Sequence, residues 1–257
     1  MITSASNGRM KDIVNLIQKA KARREKKSFI IEGTRLFSET PAELIEEIYV
    51  SDVFLEKEEN KELLSGHKYE IVKEDVFRKI SDTKTPQGIL AVVKQPEYNM
   101  EQMLERKPLI VILEDIQDPG NLGTIMRTAE GAGVTGVIMS RETVDIYNPK
   151  TIRSTMGSIF RVPFLYVENI HEAIQELKGQ NISVYAAHLK GKKLYDEFPY
   201  QNGTAFLIGN EGNGLKKETA DLADEYMLIP MEGKLESLNA AVATALLIYE
   251  ASRQRRQ

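Results

Sequence analysis

The sequence predicts an α/β protein built from a small α/β region followed by a larger parallel sheet covered by helices on both faces. Three observations carry this prediction. Beyond residue 108, short apolar runs alternate with helix-type patterns: "PLIVILEDI", "GVIMS", "ISVYAAHL", "TAFLIG" and "EYMLIPM" read as buried strands. Upstream, "SFIIEG", "EIYVSD", "YEIVKE" and "GILAVVKQP" read as shorter strands in a more charged setting. Between the two regions Pro96 and Pro108 flank a polar, helix-type connector. The expected boundaries are therefore a first domain over residues 1–96, a linker over 97–107 and a second domain over 108–257.

The elements follow in order. Met10, Ile13, Val14, Ile17 and Ala20 recur at helical spacing, which predicts one amphipathic helix over residues 10–22. A second helix is expected at about 34–47, and a charged helical stretch separates the next two strands. In the second domain "NLGTIMRTAEGAG" reads as a helix closed by glycine. Further helices are expected near 149–157, near 170–178, at "LKKETADLA", and over about 237–254 with Ser237 as N-cap.

Composition bounds the chemistry. The chain has 257 residues, 42% hydrophobic and 28% charged, as in an ordinary soluble globular protein. With no cysteine there is no disulfide and no thiolate site, and His67, His171 and His188 lack ligand spacing, so no metal centre is expected. No apolar run approaches a membrane span and no signal-peptide core is visible, so the expected location is the cytoplasm, with no membrane partner. The net charge of −4 argues weakly against nucleic acid, yet it hides an asymmetry. Arg9, Lys11, Lys19, Lys21, Arg23, Arg24, Lys26 and Lys27 crowd one segment against Asp12 and Glu25, and the C-terminal "SRQRRQ" is also basic. Local patches decide phosphate attraction, although a solvated helix face gives the same pattern.

Three strand ends carry candidate chemistry, in the place where open parallel sheets bind ligands. At the first, "LEDIQDPGNLGTIMR", the dinucleotide fingerprint is absent, and Asp118 is placed to cap the amides a pyrophosphate would need. Asn121 opens the helix and Arg127 follows, for which a plain surface pairing with Glu130 is the simpler alternative. At the second, "TAFLIGNEGNGL", Gly209, Gly212 and Gly214 permit close backbone approach, while Glu211 would repel a polyphosphate and no Walker lysine follows. A ligand bearing a positive charge or hydroxyls suits this turn. The plain alternative for Glu211 is to hold backbone amides at the start of the helix from Leu215. At the third, Ile229-Pro230 leads to Ser237-Leu238-Asn239, with Asn239 oddly placed in the first turn of an alanine-rich helix.

In combination and order, Asn121-x5-Arg127, Gly209-Asn210-Glu211-Gly212, and Ile229-Pro230 with Ser237-Leu238-Asn239 resemble the three motifs of the SpoU (TrmH) family of RNA ribose 2′-O-methyltransferases, in the SPOUT superfamily. "NPKTIRSTMGSIFRVP" is similar to the family's segment between motifs 1 and 2, and "FIIEGTRLFSE" and "DTKTPQGILAVV" to its L30e-like RNA-binding domain. Nearly the whole chain is covered. No signature position departs from the pattern, although Asn210 stands at a place that varies.

The resemblance implies a SPOUT domain with a trefoil knot, a homodimer with its active site at the subunit interface, and S-adenosyl-L-methionine held by backbone groups around Gly209, Asn210, Ile229 and Leu238. It implies a catalytic Arg127, with Asn121, Glu211, Ser237 and Asn239 orienting it and the nucleotide. A guanidinium rarely gives up its proton, so Arg127 is better cast as a clamp on phosphate and developing alkoxide than as the base. Lys11, Lys19, Lys21, Arg23, Arg24 and Arg153 are the candidate RNA contacts. The implied activity is ribose 2′-O-methylation of structured RNA, with 23S ribosomal RNA expected before tRNA. A non-catalytic ribosome-assembly factor, a Rossmann-type nucleotide enzyme and a base-methylating SPOUT enzyme are the competing readings.

Overall fold

The amphipathic N-terminal segment folds as two helices, not one. In the computed structural model, which describes residues 1–256, α1 (Gly8–Gln18) and α2 (Ala20–Lys26) are separated by Lys19 in an extended conformation. The break has a physical counterpart in Arg23. Its guanidinium turns back under α1 and donates to the carbonyls of Leu16 and Ile17, which the end of α1 leaves without helical partners. Arg23 also pairs with Asp145 at 2.7 Å and is only 3% exposed. The expectation that Arg23 meets RNA is therefore corrected: the cation is spent inside the scaffold.

β1 (Ser28–Glu32) leads to α3 (Thr34–Glu39), β2 (Ile45–Ser51), α4 (Glu58–Leu63), β3 (Glu70–Val72), α5 (Glu74–Ile80) and β4 (Ile89–Lys94). The strands form a sheet in the order β1-β4-β2-β3, with β4 antiparallel to both neighbours and β3 parallel to β2. The helix expected to reach residue 47 stops at Glu39. Pro41 forces Thr40 out of helical geometry, which frees Ile45 onward to pair with β4. Met10, Ile13 and Leu16 of α1 cover Ile30, Tyr49, Phe77 and Leu90, all buried.

A short connector helix, α6 (Met100–Leu104), carries a capping box between Asn99 and Gln102. β5 (Leu109–Leu113) then opens the second sheet, followed by α7 (Pro119–Ala132) and β6 (Gly136–Ser140). Asp118 caps α7 by accepting from the Asn121 amide, as expected, and Gly133 ends it with φ at 78°. Next comes α8 (Pro149–Thr155), in a stretch that belongs with the first unit. Met1–Glu97 and Asp145–Phe160 form one compact unit, while Tyr98–Val144 and the chain from Arg161 form the other. Phe29 stacks on Tyr147 and Phe160 at ring distances of 4.8 and 6.2 Å, and α8 lies against β1. The division by sequence alone had left residues 145–160 in the second domain.

β7 (Phe164–Val167), α9 (Ile170–Gly179), β8 (Ser183–Ala187), β9 (Lys193–Leu194), β10 (Thr204–Ile208), α10 (Lys217–Ala220), β11 (Glu225–Leu228) and α11 (Ala240–Arg255) complete the chain. The seven strands run parallel in the order β7-β6-β5-β10-β8-β11-β9. β7 and β9 are additions to the expected strands; both lie at sheet edges, β9 as two exposed residues and β7 as only four, partly exposed though apolar. The helix expected at "LKKETADLA" is a single turn. Ile110, Ile112, Ile138, Leu177, Val184 and Leu207 are buried between sheet and helices, each contributing about 1.5–3 kcal/mol. Placing β10 between β5 and β8 sets the carboxyl ends of β5, β10, β8 and β11 side by side. The three motif loops leave the sheet there.

Because Arg23→Ala removes two hydrogen bonds to α1 carbonyls and leaves the partly buried Asp145 unpaired, it is expected to lower unfolding free energy by about 2–3 kcal/mol in urea titrations. Ala at the exposed Lys19, Lys21 or Arg24 should change it by less than about 0.5 kcal/mol.

Candidate active site

The three loops are joined by one hydrogen-bond chain. Glu211 accepts from the backbone amides of Gln117 and Asp118, both at 3.1 Å, and from the Asn121 side-chain amide at 2.9 Å. Asn121 in turn accepts from the side-chain amide of Asn239 at 3.0 Å. Asn239 accepts from the amides of Ala241 and Val242 and so is the N-cap of α11. The direction of every link is fixed by chemistry. A carboxylate only accepts, so Asn121 must offer its NH₂ to Glu211 and its oxygen to Asn239.

Two local expectations are corrected here. Ser237 does not cap the last helix; Asn239 does, which removes the oddity of an asparagine inside the first turn. Glu211 does hold backbone amides, but those of Gln117 and Asp118, which lead into α7, rather than those of the helix after Leu215. It belongs there because the start of α7 presents unpaired N–H groups and the positive end of a dipole. Burial pushes the Glu211 carboxyl up, but the hydrogen bonds from Asn121 and the surrounding amides outweigh it and hold the pKa below its ordinary value.

Around Glu211 the turn is shaped by its own backbone. Asn210 and Gly214 exchange amide hydrogen bonds at 3.1 and 2.9 Å, closing the loop. A Cβ at Gly209 would fall within the backbone of Gly214 and Leu215, so only glycine fits. The Asn210 side chain accepts from the amides of Gly212 and Asn213 and donates to the Asp115 carbonyl, so it builds the loop.

A cavity of about 350 Å³ opens between this turn, the end of β8 and the loop before α11. Gly209, Asn210, Glu211, Ile229, Ser237 and Leu238 all line it, together with Leu189 and Met231. No lysine or arginine among the described residues does, whereas Glu211 and Glu236 do. That lining is wrong for a phosphate and right for a cationic, phosphate-free ligand held by backbone groups, which fits S-adenosylmethionine.

Residues missed by sequence reasoning hold the turn from behind. Glu114, 2% exposed at the end of β5, accepts from the Lys216 amide at 2.8 Å and the Thr219 hydroxyl at 2.5 Å. Asp115, at φ 56°, pairs with Lys216 at 2.7 Å and accepts from Ser140. Burial pushes the Asp115 carboxyl up, yet Lys216 and Ser140 bring its pKa below the ordinary value. The signal available was an acidic pair at the end of an otherwise apolar strand.

Arg127 stands apart. It is exposed, and it forms no ion pair or hydrogen bond among the described residues; Glu130 pairs with Arg161 instead. Six residues along a helix correspond to about 9 Å and about 240° of rotation, so Arg127 does not share a face with Asn121. In the first unit Lys11, Lys19 and Arg24 are exposed without ion pairs, Lys21 makes a loose pair with Glu25, and Arg153 is held by Asp82 at 2.6 Å. At the C-terminus Arg255 donates to the carbonyls of Tyr200, Lys107, Pro108 and Asn202; Gln257 of that basic stretch lies outside the described residues. No described helix is long and apolar enough to cross a membrane, and no described group of acidic, histidine or cysteine side chains is placed to hold a metal ion.

Comparison with known proteins agrees with this site. The SpoU rRNA methylase family model matches residues 108–249, and an MRM3-like substrate binding domain matches residues 7–91. The chain is 36% identical, over 96% of its length and 97% of the relative's, to the 23S rRNA (guanosine(2553)-2′-O)-methyltransferase RlmP of Bacillus subtilis. The SpoU methyltransferase AviRb of Streptomyces viridochromogenes, solved with AdoMet, superposes with a TM-score of 0.88 at 28% identity, covering 98% of this chain and 99% of that one. An AdoMet-bound rRNA methyltransferase from Sinorhizobium meliloti gives 0.82 at 34% identity, covering 98% and 97%. With motif loops converging on a cation-free cavity and matches across both units, the chain belongs to the SpoU rRNA methylase family.

Proposed function

We propose that the protein methylates a ribose 2′-hydroxyl in structured RNA, using S-adenosyl-L-methionine, with 23S ribosomal RNA as its substrate. The observation that carries this reading is the Asn239–Asn121–Glu211 chain at the edge of a cavity with no cationic lining. When bound, S-adenosylmethionine supplies an electrophilic methyl group on a sulfonium centre. Gly209, Asn210, Ile229 and Leu238 hold it through backbone groups, and the Glu211 and Glu236 carboxylates favour its positive charge. Asn121, Ser237 and Asn239 orient the incoming nucleotide. Arg127 grips the target phosphate and stabilises charge growing on the ribose oxygen, while water or an RNA phosphate accepts the proton. Fixed positioning supplies several kcal/mol of the barrier reduction, and proton removal about 10²–10⁴ in rate.

The working form is a homodimer. Val242, Leu246 and Tyr249 recur at helical spacing on α11 and are 49%, 37% and 45% exposed, an apolar stripe with no cover in the protomer. Tyr249 lies over Gly131 of α7, where a Cβ would come within 2.8 Å of its hydroxyl. Arg127 is one helical turn before Gly131, so the uncovered face carries the catalytic candidate. A second copy seated on this face would bring Arg127, which has no ion pair among the described residues, to the cavity of the other protomer.

The unit of Met1–Glu97 with Asp145–Phe160 acts as the RNA-binding arm, and the unit of Tyr98–Val144 with the chain from Arg161 as the methyltransferase domain, its last segment threaded into a trefoil knot. Exposed Lys11, Lys19, Lys21 and Arg24 meet phosphates without reading sequence. The protein works in the cytoplasm, where its RNA is.

Mass-spectrometric mapping of ribose methylation in rRNA and tRNA from cells lacking the gene should show one modification missing from 23S rRNA; loss from tRNA alone would redirect the substrate, and no loss would remove the activity. Arg127→Lys should lower turnover by about 10²–10³ with cofactor affinity unchanged in calorimetry, since lysine cannot make the planar two-point grip. Leu246→Glu with Tyr249→Glu should give a monomer by light scattering, inactive but folded.

A further inference from the structure

One rim of the cavity is a basic loop that no motif accounts for. Leaving β8, the chain runs His188-Leu189-Lys190-Gly191-Lys192-Lys193 before pairing as β9 with β11. His188 and Leu189 line the cavity, and Leu189 is 61% exposed at its mouth. Lys190 and Lys192 are exposed and form no ion pair among the described residues, while Lys193 rests over the Phe198 ring at 5.5 Å. The loop is held rather than loose. The His188 amide donates to the Met227 carbonyl at 3.0 Å, the His188 ring stacks on Tyr226 at 4.7 Å and accepts from the Lys190 amide, and the Gly191 amide returns to the His188 carbonyl. A Cβ at Gly191 would stand 2.5 Å from the Met227 backbone, so glycine lets the loop lie flat against β11.

The loop that follows β11 differs in sign. Between Met231 and Leu238, both lining the cavity, stand Glu232, Lys234 and Glu236. A polyanion approaching the cavity is thus attracted by the 188–193 loop and disfavoured by the loop after β11. We propose that the Lys190–Lys192 loop is a second RNA contact, in the methyltransferase unit itself, that grips the phosphate backbone of the strand flanking the target nucleotide. This rests on the assignment of RNA methylation above. A strand offering its ribose to the cavity carries one phosphate per nucleotide past the rim, and two ammonium groups on a held loop backbone at 188–193 favour the direction in which it leaves. Leu189, apolar and exposed between the lysines and the cavity, is placed to pack on the face of the neighbouring base. The contact adds affinity and orientation but no base reading.

The test compares wild type with Lys190→Ala/Lys192→Ala, and with the charge reversal Lys190→Glu/Lys192→Glu, on rRNA purified from cells lacking the gene with radiolabelled S-adenosylmethionine. Both substitutions lie on an exposed loop, and calorimetry with S-adenosylmethionine checks that the cavity is intact. The expected result is unchanged cofactor affinity, a raised KM for RNA, and a salt dependence of RNA binding whose logarithmic slope is shallower by about 0.7–0.9 per lost contact. Charge reversal should raise KM further. Unchanged KM and slope in both variants, with wild type active, would overturn the proposal. A wild type that binds cofactor but methylates no RNA would instead defeat the function on which it rests.

Discussion

The site depends on what a carboxylate can and cannot do. Glu211 accepts hydrogen bonds and never donates them, and it sits where the start of α7 offers unpaired amides. Once it is there, the rest follows. The Asn121 amide has one possible orientation, Asn239 has one, and the oxygen of Asn239 is left for the first amides of α11. Two helix starts and a glycine turn, distant in sequence, are thereby locked into one register. Replacing the carboxylate by an amide would remove the feature that gives the chain its direction, since either end of an amide can face Asn121.

That lock would be useless if the turn carrying Glu211 could wander. Two devices hold it. Gly209 lets the chain pass against Gly214 and Leu215 at a distance no side chain allows, and the Asn210 side chain fills the loop with hydrogen bonds. Behind them Glu114 and Asp115 bind Lys216 and Thr219 to the end of β5. These internal bonds leave the cavity wall to aliphatic and uncharged polar groups, His188, backbone and two carboxylates. A pocket of that kind discriminates by charge sign before it discriminates by shape: nucleotides pay to bring phosphate near Glu211 and Glu236, and a sulfonium does not.

Much of this was legible because it is local. Alternating strands and helices, the Asp118 cap, the Gly133 stop and the three glycines of the turn each leave a mark within a few residues. What escaped was set by tertiary partners. β7 and β9 exist because a sheet edge was available, not because "FLYV" or "KL" insists on being a strand. The helix break at Lys19 is matched by an arginine that satisfies α1 carbonyls and an aspartate more than a hundred residues away. A basic residue among basic residues gives no sign that it is the one turned inward. Likewise the sequence showed that Glu211 would seek amides, but which helix supplied them was decided by the sheet order that sets β10 beside β5. Arg127 is the opposite case: its residue type and position were visible, and the fold leaves it exposed with no ion pair among the described residues.

The charge distribution then takes on a different meaning from the one its sum suggests. The chain carries more acidic than basic residues, and several cations of the basic arm are already committed, Arg23 to the core and Arg9, Lys26 and Lys27 to neighbouring carboxylates. Exposed cations remain on each unit, among them Lys11, Lys19 and Arg24 on the first and Lys190 and Lys192 on the second, and attraction through such groups is screened by salt. Adhesion of that kind carries no sequence information and does not by itself select a nucleotide. On the proposed function, selection falls to simultaneous engagement, in which a folded RNA meets the N-terminal arm and the cavity rim together, and RNA that meets only one of them is released before the ribose is seated.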